Sequence, residues 1–154
     1  MKSLNITIIK YGVLVFLGLA IYFLLMESIG LVHNLNLRLF NAVIMFSGIF
    51  FLLRNFKKQQ YDRPFSYLNG LGAGLLVTII GTAAFALFMA IYLSVNPDFM
   101  TAIRENEPQG IYLNIPAMVM LILIEGIASG ILFSYMSMQY LKGNVALEAS
   151  STAK

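Results

Sequence analysis

Residues 68–95, LNGLGAGLLVTIIGTAAFALFMAIYLSV, run for 28 consecutive positions without a charged side chain. As an α-helix at 1.5 Å per residue such a run measures about 42 Å, more than the roughly 30 Å hydrocarbon core of a bilayer. Lipid offers backbone N–H and C=O groups no partners, so the segment has to satisfy itself as a helix. It is also too long, and too evenly apolar, for a barrel strand. Three further, mainly apolar runs lie at roughly 9–32, 37–54 and 112–141. The sequence therefore predicts an all-α fold, a polytopic transmembrane bundle of four helices over residues 1–142, with a flexible polar tail at 143–154.

Composition agrees. The 154 residues are 59% hydrophobic and 11% charged, against about 25% charged in a soluble domain. Too few polar residues remain to cover a water-facing surface, so lipid is the expected solvent. The net charge of +3 does not point to nucleic acid, because the basic residues form no face or stripe on a helix. Cysteine is absent, which removes disulfides, thiolate metal sites and cysteine nucleophiles. A single histidine, His33, in a loop beside Asn34 and Asn36, gives no ligand spacing, and neither a metal nor a cofactor is expected. The first apolar run follows Lys2 and Lys10 but continues past Glu27-Ser28-Ile29-Gly30 without a small-residue cleavage site, so it is taken as a retained helix.

Orientation follows from the positive charges. Lys2, Lys10, Arg54, Lys57, Lys58, Arg63, Lys142 and Lys154 fall at the two termini and in the second loop, while Arg38 and Arg104 fall in the first and third. This alternation predicts a multi-pass protein with both termini cytoplasmic. Tyrosines at the span ends, Tyr11, Tyr67 and Tyr140 on one side and Tyr92 and Tyr112 on the other, fit aromatic belts. The basic cluster Arg54, Lys57 and Lys58 sets topology and can also hold anionic lipid headgroups. In Asn96-Pro97-Asp98, Pro97 ends the third span and Asp98 can cap the next helix. Beyond them Phe99 and Ile103 stand four apart with Arg104 and Glu105 beside them. That spacing predicts a short helix on the outer surface.

Helix packing has its own signal. Gly70, Gly74, Thr78, Thr82, Ala86 and Ala90 recur every fourth residue along the third span, and Gly126, Gly130 and Ser134 do so in the fourth. Small residues on one face let helix backbones approach closely where lipid removes the hydrophobic incentive to associate. The two stripes are expected to meet, within one chain or across a dimer. Gly70-Leu71-Gly72-Ala73-Gly74 lacks the Lys-Ser/Thr and the preceding strand of a phosphate loop, so packing is its reading.

Two acids, Glu27 and Glu125, lie inside the apolar runs. Ionisable groups at that depth are costly and usually face a bundle interior, a wet cavity or a partner. Counting from the ends of the runs places both in the outer half of the bilayer, with Asn41 and Tyr92 in the same layer, as one intramembrane polar cluster. The structural reading is an interhelical hydrogen bond, with Glu27 also able to reach His33 or Arg38. The functional reading is a proton or cation site, and an acid on a lipid-facing side could instead dock a subunit.

The segment Tyr92-Leu93-Ser94-Val95-Asn96-Pro97-Asp98-Phe99, a charged outer loop, and then Glu125 with Gly130 to Ser134 running into Tyr140-Leu141-Lys142 resemble the bacterial four-helix membrane family of domain of unknown function 4199. The resemblance implies a small inner-membrane protein without an assigned activity, and carries over no functional residues. Ser129 and Ser134 have no evident base, so no catalytic constellation is present and an enzyme is not expected. The expected role is a structural or accessory membrane component, with the bilayer and a homodimer or larger membrane complex as partners. The alternative is a small proton- or cation-coupled transporter using Glu27 and Glu125, which requires both carboxylates around one water-accessible cavity.

Overall fold

The computed structural model describes residues 2–30, 35–59, 67–106 and 110–152, nearly all of them helical. The helices are α1 (Lys2–Ser28), α2 (Leu35–Gln59), α3 (Tyr67–Val95), α4 (Pro97–Asn106) and α5 (Ile115–Thr152), with a 3₁₀ turn at Gly110–Tyr112 before α5. Four of them are long and apolar enough to cross a membrane, over Asn5–Ser28, Leu39–Lys57, Tyr67–Val95 and Ile115–Leu141. Their outward surfaces are as apolar as their contacts: Leu14, Ile21, Val43, Leu87, Ile124 and Leu132 are all exposed. Such a surface is stable only in lipid, and the chain is a multi-pass membrane protein.

Local chemistry sets the helix ends. Helix α1 stops at Ser28, four residues before the end of its apolar run, because Gly30 turns back at φ 74°. A left-handed residue there is the usual way to close a helix, and its N–H bonds the Glu27 carbonyl at 3.0 Å. At the end of α3, Asn96 folds its Nδ2 back to the Tyr92 carbonyl at 3.0 Å. Pro97 then opens α4, so Asp98 lies in the first turn rather than capping it. Asn114 caps α5, its Oδ1 accepting from the Ala117 N–H at 2.8 Å. The other end of α5 runs on to Thr152, through residues 143–152 that were expected to be a flexible tail. Ala146, Leu147, Glu148 and Ala149 favour helix, and no proline intervenes.

Helix α3 is the centre of the bundle. It packs most closely on α5 and α1, and α2 fills the remaining side against α1, α5 and, more lightly, α3. Helices α1 and α5 thus stand at opposite corners. One core cluster joins Val15, Ile49, Leu52, Leu53, Phe56, Val77 and Met138. A second, at the end of the bundle that carries α4, joins Met89, Leu93 and Met118 to Met100 and Ile103 of α4. The amphipathic helix expected between spans three and four therefore lies across that end, held by its apolar face.

Candidate functional site

The small-residue stripes of α3 and α5 face each other within the chain. A side-chain carbon added at Gly74 would strike Ser134, one at Gly130 would strike Thr78, and one at Gly126 would strike Thr82. Each contact thus sets one glycine against one hydroxyl residue, with α3 supplying the hydroxyl in two of the three and α5 in the other. Gly70, one turn before Gly74, is buried on the same helix. Thr78 satisfies its hydroxyl by donating to the Gly74 carbonyl at 3.0 Å. Thr82 Oγ1 and Ser134 Oγ are buried without a partner.

Glu27 and Tyr92 come together at the α4 end, with the tyrosine hydroxyl beside the carboxylate. The Tyr92 ring is fixed by edge-to-face contacts with Phe23 at 5.1 Å and Phe99 at 5.5 Å. Glu27 occupies the last turn of α1, so it is shallower than a run reaching Val32 would place it. His33 lies outside the described residues, as does the side chain of Arg38.

Asn41 and Glu125 are elsewhere. Ile49 of α2 lies beside Gly74 of α3. Two further turns along these antiparallel helices bring Asn41 level, to within a turn, with Thr82. Glu125 is next to Gly126, which faces Thr82, so it shares that level. Thr82 and Tyr92 are ten residues apart on one helix, about 15 Å. The single polar layer read from the sequence is therefore two. A shallow level holds Glu27 with Tyr92, and a deeper one holds Asn41, Thr82 and Glu125.

In the deeper level the groups point different ways. Asn41 is half-buried, its Oδ1 enclosed without a hydrogen-bond partner. Glu125 is exposed. It precedes Gly126 by one helical step, about 100°, so when Gly126 faces α3 the carboxyl faces out of the bundle. No hydrogen bond or ion pair reaches it from the described residues. It sits ten residues, about 15 Å, from the Ile115 end of its span, near the midplane of a roughly 30 Å core. Only 11% of the α5 apolar window is buried within the chain, against 28–39% for the other three spans, so α5 offers the largest uncovered face.

Sequence reasoning missed Ser137 and gave Tyr67 only to an aromatic belt; both hydroxyls are buried without a partner at the end of the bundle carrying the termini. The available signal was that Ser137 lies one turn beyond Ser134. On α2, Lys57 donates its Nζ to the Leu141 carbonyl at 3.3 Å, so this lysine is tied to α5, whereas Arg54 is exposed. The side chain of Lys58 lies outside the described residues. A groove between α1 and α2, lined by Tyr11, Leu14, Gly18, Val43, Ser47 and Phe51 among others, contains no acid. The two carboxylates lie at different levels and neither lines this groove, so the described residues give no support to the shared cavity a coupled transporter needs.

No curated protein and no solved structure matches the chain. One family does, described as Protein of unknown function (DUF4199), over residues 10–113. The match takes in α1 to the 3₁₀ turn, including Asn-Pro-Asp-Phe at 96–99, and stops before α5 and Glu125. Covering about two thirds of the sequence, it establishes that the chain belongs to the DUF4199 family.

Proposed function

We propose that this protein is a non-enzymatic structural or accessory component of a bacterial inner membrane, one that docks through the outer face of α5. The observation that carries the reading is Glu125. A carboxyl facing hydrocarbon without a partner near mid-bilayer costs several kcal/mol, and a helix that keeps one has a use for it outside its own bundle. Among the described residues, the enclosed polar groups are hydroxyls and one amide, Thr78, Thr82, Ser134, Ser137, Tyr67 and Asn41, which suit packing better than chemistry. The lysine and arginine count supports cytoplasmic termini. Arg54, exposed on that side, is suited to anionic headgroups.

The test is co-purification of the tagged protein from native membranes in lipid particles, followed by mass spectrometry. A stable partner, either another protein or a second copy, is expected with the natural chain and lost with Glu125→Leu. A monomer whose behaviour Glu125→Leu leaves unchanged refutes docking through this face, and turnover or ion flux by the purified protein refutes the accessory role. Orientation is checked in the natural cysteine-free background. A membrane-impermeant maleimide is expected to label Thr101→Cys in intact cells and Ser151→Cys only after permeabilisation.

A further inference from the structure

Resting on that docking role, we propose that the occupant of the α5 face is a second copy of this chain, seated on Leu121, Glu125, Ala128, Leu132, Tyr135 and Gln139. These six residues are spaced alternately by four and three, the spacing of a left-handed coiled-coil seam. All six are exposed, Leu121 at 46%, Leu132 at 62% and Tyr135 at 51%. Gly130 and Ser137, on the opposite side of the same turns, are buried against the rest of the bundle, so the seam points away from it. From Leu121 to Gln139 the seam is 18 residue steps long, about 27 Å, close to the full depth of the hydrocarbon core.

The polar chemistry selects a second copy over another partner. Two copies in one membrane share an orientation, so a two-fold axis along the membrane normal sets α5 parallel to its equivalent. Each seam residue then meets its own counterpart at its own depth. A carboxyl that carries its proton offers one O–H donor and a carbonyl acceptor. Two such groups satisfy each other completely. A different protein would have to supply a polar group at that one level, whereas a second copy does so by construction. Ala128, one turn from Glu125, is small enough for the backbones to close on the pair. Leu121 and Leu132 flank it with apolar knobs.

The experiment uses the purified full-length chain in liposomes, with energy transfer between labelled copies measured across a range of protein-to-lipid ratios. Oxidative cross-linking of single cysteines runs in parallel. Ala128→Cys and Leu132→Cys are expected to cross-link and Ile127→Cys, one step off the seam, is not. Glu125→Leu is expected to weaken dimerisation about tenfold, or about 1.4 kcal/mol. Glu125→Gln, whose amide also donates and accepts, stays within about threefold. Cross-linking without this periodicity, or a Glu125→Leu dimer as tight as the natural one, overturns the proposal. If the chain is monomeric at every ratio while Glu125→Leu still loses a partner in native membranes, the dimer is wrong and the docking role survives. If Glu125→Leu alters neither, both fall.

Discussion

Adding one methyl group at Gly130 tests how tightly α3 and α5 are joined. In Gly130→Ala the new carbon would lie 2.6 Å from Thr78 Cβ and would overlap that residue's Cγ2 and Oγ1. Thr78 is fully buried and its hydroxyl is engaged with the Gly74 carbonyl. A β-branched side chain on a helix has few rotamers to retreat to, so the helices themselves must part to restore ordinary contact. Overpacking of this kind costs about 1–3 kcal/mol. With no soft neighbour, the upper half of that range applies. Replacing a helical glycine returns about 0.5–1 kcal/mol, so the net loss is about 2 kcal/mol, near thirtyfold in the unfolding equilibrium. Gly72→Ala is the control, since nothing stands within 4 Å of the added carbon, and it should be neutral or slightly stabilising. Reversible unfolding by dodecyl sulfate in mixed micelles, followed by circular dichroism because the chain lacks tryptophan, measures both. Thr78→Ala removes the two nearest atoms and should recover at least half of the loss when combined with Gly130→Ala. If Gly130→Ala is as stable as Gly72→Ala, or the double variant shows no coupling, the two stripes do not pack as described.

Tyr92→Phe keeps the ring against Phe23 and Phe99 but deletes the hydroxyl beside Glu27. It should cost at most about 1 kcal/mol in the same titration, while Tyr92→Ala, which also empties the place of a half-buried ring, should cost about 2–3 kcal/mol, below the range for a fully buried aromatic. Gly110→Ala drives a carbon into the Arg104 backbone and should break the bond from Arg104 Nε to the Leu113 carbonyl, 2.8 Å long. Faster tryptic cleavage after Arg104 is the expected readout, and an unchanged rate would contradict the close approach.

The spans were legible because a membrane crossing requires length and uniform apolarity, and both are visible in a string of letters. The α3–α5 seam was legible too, since glycines, threonines and alanines every fourth residue have few other reasons to recur. The direction in which Glu125 points was not. On a soluble helix a polar face betrays the buried one, but here both the lipid side and the core side are apolar, so periodicity carries little information. Depth was misjudged for a related reason. Ile29, Leu31 and Val32 prolong the first apolar run, yet the backbone turns at Gly30, and Glu27 rises to the end of its helix. The separation of Asn41 from Tyr92 depends on how α2 and α3 slide past one another, which no single segment encodes.

One helical step separates Gly126 from Glu125, and that step divides α5 into two faces with opposite demands. The face toward α3 cannot accept bulk: a carbon at Gly126 or Gly130 has nowhere to go, and its polar atoms are hydroxyls small enough to fit opposite a glycine. The outer face carries a long carboxyl and large apolar residues, Leu121, Leu132 and Tyr135, which the inner face could not hold. Exchanging their contents would destroy the bundle, so the carboxyl cannot be a core residue that happens to be turned outward. It lies on an exposed face of the helix, without a hydrogen bond or ion pair from the described residues. If selection acted on the stability of that chain alone, leucine would serve better at position 125. An acid at that place fits the docking role proposed for the outer face of α5.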